Sequence, residues 1–188
     1  MPTITRKTKE TDITAALELT GGQVRVDTGI GFFDHMLTAL AVHSGLGLDL
    51  ACQGDLEVDA HHTVEDCGIV LGQALAKAMG DKTGIARYGS AAIPMDEALA
   101  EAHADVSGRP FLVFRAAFTQ DKTGEFDLCL VEEFFRAFAF NAGLTLHMEL
   151  RHGVNGHHEA EALFKAAAHA LRRALRPKAG VLSTKGSI

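Results

Sequence analysis

Apolar and polar positions alternate along several short runs of the chain, the period of a strand with one face buried. Residues 13–19 and 23–27 show this alternation, as do 98–106, 111–116 and, most regularly, LTLHMEL at 144–150. Elsewhere the period lengthens to that of a helix. Residues 32–44 and 132–142 predict short buried helices, each closed by a glycine, Gly45 or Gly143. From position 157 the apolar residues Ala160, Leu163, Phe164, Ala167, Leu171, Ala174 and Leu175 predict a long amphipathic helix. A comparable helix follows residue 61. One more strand is expected near 126–131, and the two DKTG segments at 81–84 and 121–124 read as turns.

These elements occur twice. HHTVE at 61–65 lies over HHEAE at 157–161, and DHMLTALAVHSGLGL at 34–48 lies over EEFFRAFAFNAGLTL at 132–146. The second alignment pairs Gly45 with Gly143 and His35 with Glu133. Between the two segments the offset shifts by only the length of a short loop. The pattern predicts strand–strand–helix–strand–helix in each half: an α+β protein, an internally duplicated two-layer α/β sandwich. The expected organisation is one catalytic domain over residues 1–188, with half-domains at about 5–88 and 90–180 and a C-terminal tail.

Composition narrows the class. With 188 residues, 47% hydrophobic and 22% charged, the chain can bury a sizeable core. Its net charge of −6 argues against a general nucleic-acid partner. No apolar run reaches the roughly 18 residues of a membrane span, and MPTITRKTKETD has no signal core. Three cysteines, Cys52, Cys67 and Cys129, lack paired spacing, so a reduced cytoplasmic location is expected.

Ten histidines, four of them in two HH pairs, are the main chemical signal. On a helix a first His and a Glu four positions later share a face, while the second His points about 100° away. His61 or His62 with Glu65, and His157 or His158 with Glu161, therefore offer imidazole and carboxylate to divalent cations. Without thiolates, a structural Zn site is disfavoured and Mn or Fe preferred. Position 162 is Ala, so HExxH fails, and nucleophile-elbow, Walker and GxGxxG motifs are absent. Two other classes of metal protein make different demands. A metal hydrolase such as a deaminase would need a Cys or third His at close spacing, and a metal-storing shell protein would need no phosphate cradle.

Phe33-Asp34-His35-Met36-Leu37, His61-His62-Thr63-Val64-Glu65-Asp66, Asn155-Gly156-His157-His158 with Glu161 and Phe164-Lys165, and Ser183-Thr184-Lys185-Gly186 resemble imidazoleglycerol-phosphate dehydratase from about Arg6 to Gly186. The resemblance implies a fold similar to the second domain of ribosomal protein S5. It implies conversion of imidazole glycerol phosphate to imidazole acetol phosphate and water in histidine biosynthesis. It also implies two Mn2+ ions per active site and a 24-subunit shell with active sites between subunits.

Carried over by position, the implied metal ligands are His35, His61, His62, Glu65, His157, His158 and Glu161, with Glu133 where many relatives have His. The phosphate-side groups are Arg87, Arg109, Lys165, Ser183 and Lys185, and the N-terminal carboxylate is Glu10. Ala39 stands where Gln is common. For the general base Glu161 is the first candidate, with Glu65, Glu10 or Asp96 in support. His43, His103, His147 and His169 are expected to be packing or surface residues.

Overall fold

In a computed structural model of the protein, residues 1–180 and 182 are described, and Ser183 and Lys185 lie outside them. The first half runs β1 (Thr3–Lys7), β2 (Thr11–Glu18), β3 (Gly21–Asp27), α1 (Gly31–Ser44), β4 (Leu46–Gly54) and α2 (His61–Met79). The second runs β5 (Tyr88–Met95), β6 (Ala98–Asp105), β7 (Phe111–Arg115), a small hairpin of β8 (Lys122–Thr123) and β9 (Phe126–Asp127), α3 (Leu130–Ala142), β10 (Thr145–His152) and α4 (Gly156–Ala174).

The sheets have the same topology, β1-β2-β4-β3 and β5-β6-β10-β7. In each the last pair is parallel, β3 on β4 and β7 on β10, and the others are antiparallel. Period-two patterning leaves one wet face: on β2, Ile13, Ala15 and Leu17 are buried while Asp12, Thr14 and Glu18 are exposed. Helices cover the other face. α2 lies on β2, and α4 on β5 and β6.

Each half is thus a two-layer sandwich, and the halves meet helix against helix. α1 packs on α4, and α2 packs along α3. Close approach requires glycine on α2, because a Cβ at Gly68 would stand 2.9 Å from Ala137 Cβ and one at Gly72 would stand 2.8 Å from Asn141 Cβ. Phe33, Phe134 and Phe164, all fully buried, join α1, α3 and α4 through ring contacts of 5.5 and 5.4 Å. Each such ring contributes about 1.5–3 kcal/mol by burial.

Three expectations are corrected. β1 and β5 open the two halves, so each four-stranded sheet draws three strands, rather than two, from before the first helix of its half. Residues 126–131 are not one strand: β9 ends at Asp127 and α3 begins at Leu130. Within the second DKTG segment Lys122 and Thr123 pair as β8, and the chain turns at Gly124 and Glu125. The C-terminal glycines behave as expected, Gly45 and Gly143 adopting left-handed φ of 77° and 67°.

Candidate metal centre and active site

Both HH pairs open a helix whose first turn is tied to a residue two positions earlier. Asp59 accepts from the His61 backbone N–H at 2.7 Å, and Asn155 caps α4 by accepting from His157 at 3.0 Å and His158 at 3.5 Å. The paired rings then diverge, with centroids 6.3 Å apart for His61 and His62 and 6.1 Å for His157 and His158, at interplanar angles of 88° and 77°.

His157 turns towards α1. Its Nε2 is 3.2 Å from Glu161 Oε2, and His35 Nε2, from the other half, is 3.5 Å from the same oxygen. Ligand atoms of His35, His157 and Glu161 all lie within 4.8 Å of one another. Two imidazoles and a carboxylate converging in this way fit a divalent cation. Lys165 Nζ, one turn further along α4, is 2.7 Å from the other Glu161 oxygen. Burial alone would push the Glu161 carboxyl up, but the hydrogen bond and charge of Lys165, aided by His35, outweigh it and hold the pKa below its ordinary value.

At the repeated positions of the other half stand His61, Glu65 and Glu133, whose ligand atoms, unlike those of the first three, do not all come within 4.8 Å of one another. His61 Nε2 lies 3.9 Å from Glu65 Oε2. Glu133 lies 3.8 Å from Arg136, which also pairs with Glu132. Gly68 against Ala137 and Gly72 against Asn141 fix the register of α2 and α3. One turn earlier this register sets Glu133 beside Val64, between His61 and Glu65 along α2. His35 stands to Ala160, His157 and Glu161 in the same way.

The second histidines face their own hairpins and loops. His158 Nδ1 is 2.8 Å from Glu97 Oε2, and its Nε2 is 3.7 Å from Asp96 Oδ2. His62 Nδ1 is 3.0 Å from Asp55 Oδ2, and its Nε2 is 3.8 Å from Glu10 Oε1. The hydrogen bond to Glu97 raises the His158 pKa and lowers that of Glu97 to about 2. Asp55 raises His62 likewise.

The two arginines lie elsewhere. Arg87 is buried at φ 73°, with Nε 2.7 Å from Asp105 Oδ1. Exposed Arg109 reaches the other Asp105 oxygen at 3.4 Å. The Arg87 backbone N–H bonds to the carbonyl of Ala174, the last residue of α4, whereas His157 is at its start. At 1.5 Å rise per residue these points are roughly 25 Å apart. Within one chain, the arginines and the His35 cluster are not brought together.

The sequence pattern defining imidazoleglycerol-phosphate dehydratase matches residues 28–171, well over half the chain. The chain belongs to the imidazoleglycerol-phosphate dehydratase family. Membership makes it an enzyme, a dehydratase of the lyase class. An imidazoleglycerol-phosphate dehydratase from Gluconacetobacter diazotrophicus is 59% identical over 98% of this chain and 96% of its own length. One from Cereibacter sphaeroides is 55% identical over 98% and 97%. Among solved structures, the Staphylococcus aureus dehydratase superposes with a TM-score of 0.82 at 44% identity, covering 95% of this chain and 100% of that one. A dehydratase of this family from Pyrococcus furiosus, in complex with (S)-C348, gives 0.86 at 36% identity, covering 98% and 100%.

Sequence reasoning missed Glu97, Asp55 and Asp105, which hold His158, His62 and the two arginines. A signal existed for Glu97. It directly precedes β6 as Glu10 precedes β2, but with β1 and β5 unrecognised the two hairpins could not be aligned. Among the described residues no helix is long and apolar enough to cross a membrane.

Proposed function

We propose that the protein dehydrates imidazole glycerol phosphate to imidazole acetol phosphate in the cytoplasm, as a step of histidine biosynthesis. His35, His157 and Glu161 would hold one divalent cation, and Glu133, His61 and Glu65 a second. Mn2+ suits this mixture of imidazole and carboxylate best. His62 and His158, turned away from both sets, would complete the sites of neighbouring copies. When bound, the cations supply positive charge beside the substrate imidazole.

The observation that carries this reading is the separation within one chain. Three cation ligands converge at the start of α4, while the buried arginine lies at its end. A second copy supplies what the first lacks, in keeping with a closed assembly of 24 subunits. Arg87, Arg109 and Lys165 would receive the phosphate, together with Ser183 and Lys185.

The reaction removes a carbon-bound proton and a hydroxyl, which leaves as water, and the resulting enol becomes the ketone. Glu161 is a poor base for this, because Lys165 and two imidazoles occupy both its oxygens. We assign it to cation holding, as for Glu65. Glu10 is half exposed, with an oxygen near the outward nitrogen of His62, and is better placed to take the proton. Asp96 lies in the corresponding place beside His158 Nε2 and would support it, and the proton that Glu10 takes from carbon can be returned to the leaving hydroxyl.

The test is incubation with Mn2+ and imidazole glycerol phosphate, following the keto product. Turnover is expected, with Glu10→Gln slower by roughly 10²–10⁴ and still loaded with cation. Glu161→Gln is expected to lose cation and activity together. Cation binding without turnover would instead mark a metal-holding shell, and ammonia release a deaminase.

A further inference from the structure

His158 has a carboxylate on each side of its ring, and the two are not equivalent. Glu97 Oε2 meets Nδ1 at 2.8 Å, a hydrogen-bonding distance, whereas Asp96 Oδ2 stands 3.7 Å from Nε2, too far for one. A carboxylate at Nδ1 keeps the proton on that nitrogen. The lone pair is then left on Nε2, facing outward.

Glu97 is itself fixed from two directions. Its other oxygen accepts the Val154 backbone N–H at 3.2 Å, in the loop that leads to the Asn155 cap of α4. Its backbone is the second residue of a two-residue turn closed by the Met95–Ala98 pair, with Asp96 at φ 48°. A non-glycine residue at positive φ is retained only where its surroundings hold it. One side chain thus joins the β5–β6 turn, the loop before α4 and the His158 ring.

The other half closes the equivalent hairpin with a longer turn, four residues inside the Lys7–Asp12 pair. Glu10, at the matching position before β2, lies on the Nε2 side of His62 at 3.8 Å, and the Nδ1 role passes to Asp55 at 3.0 Å. The turn carboxylate is behind the ring in one half and in front of it in the other.

We propose that Glu97 is a positioning residue, which holds His158 in the Nδ1–H form with Nε2 presented to a divalent cation, and ties that ring to the start of α4 through Val154. This rests on the cation-site reading above. Carboxylates placed behind a ligating imidazole orient it and raise its basicity, and their loss typically weakens metal affinity by 10–100-fold.

The experiment titrates the full-length, metal-stripped protein and its variants with Mn2+, counting free ion by electron paramagnetic resonance. Glu97→Ala is expected to weaken one class of bound ion by roughly 10–100-fold and leave the other unchanged. Glu97→Gln, which keeps an acceptor oxygen, should recover part of that loss. In a His158→Ala background, Glu97→Ala should add nothing to the affinity change, since the effect runs through the imidazole. Unchanged affinity of both ions in Glu97→Ala, or a lowered melting temperature as its only effect, overturns the proposal. Wild-type protein that binds Mn2+ but fails to turn over would overturn the function, while a selective loss in Glu97→Ala would still support Glu97.

Discussion

Lys165 Nζ sits 2.7 Å from Glu161 Oε1, and the residue at the repeated position in the other half is Ile69. Glu161 therefore has a lysine one turn along its helix where Glu65 has an isoleucine, and in the other half the neighbouring positive charge is Arg136, beside Glu133. Lys165→Ile would leave the buried Glu161 carboxylate without its main partner, at a cost of about 1.5–3 kcal/mol to the metal-free protein. Added Mn2+ should return part of that stability, because a bound cation replaces the lost charge. Urea denaturation with and without the ion checks both effects; a metal-free variant as stable as wild type would show that Glu161 does not depend on Lys165.

Glu133 occupies the position of His35 in the repeat, and its register along α2 matches. As a harder oxygen ligand it favours Mn2+ over ions that prefer imidazole. Glu133→Ala should lower occupancy of one ion and spare the other, and Glu133→His should restore binding. Neighbouring Glu132, paired with Arg136, should matter less. Metal counting on purified variants decides the assignment, and two ions retained at wild-type affinity in Glu133→Ala would refute it.

Chelation should act on size as well as activity. If His62 and His158 ligate in sites of neighbouring copies, removing the ion removes a bridge between chains. Native mass measurement before and after chelation should show a smaller particle, reversed by Mn2+. An assembly that keeps its full mass without metal would place all ligands within one chain.

His43 and His169 pack with ring centroids 5.3 Å apart, tilted by 51°, across α1 and α4, where the other half places a hydrogen bond from Gln73 to Asn141. Both imidazoles titrate below the ordinary 6.5, first through burial and then, for His43, through Lys165, and for His169, through His43 itself. Arg172 adds to both, while Glu161 partly offsets the shift at His43. The unfolded chain therefore takes up these protons at higher pH than the native one. The contribution of this pair should fall as pH drops through 6.5 and level off once the native rings are protonated too, opposite in sign to the contribution of His62 and His158, whose pKa values are raised. The double variant His43→Asn, His169→Gln should therefore lose less stability than wild type, or gain more, between neutral and mildly acidic pH, read as melting temperature.

The helices and most strands, the edge strands β3 and β7 among them, were legible because each sets apolar residues on one face, and this writes a period into the sequence. β1 and β5 were not. β1 is an edge strand with no fully buried residue. β5, an edge of the second sheet, carries Gly89, where a Cβ would come within 1.9 Å of the Ala170 carbonyl on α4, and Pro94, which an edge strand tolerates. Close helix packing selected small residues there, at the expense of a strand signature.

The candidate ligands among the His and Glu residues were visible as a repeated motif, since helical spacing alone puts His157 and Glu161 on one face. Their supporting carboxylates were not. Asp55, Glu97 and Asp105 reach His62, His158 and Arg87 through tertiary contacts, with no fixed offset along the chain. The repeat could have shown Glu97 only after both hairpins were known.

The helix layers of the two halves face each other, with α1 on α4 and α2 along α3. A half-length chain folded alone would expose its helices and would carry only part of each ligand set: His35 without His157, or His61 without Glu133. Two identical half-chains meeting face to face would bury those helices and assemble two matching sets. Joining them in one polypeptide lets the sets diverge, because a change on one side no longer recurs on the other. Lys165 opposite Ile69, and His35 opposite Glu133, are differences that a symmetric pair of half-chains could not hold.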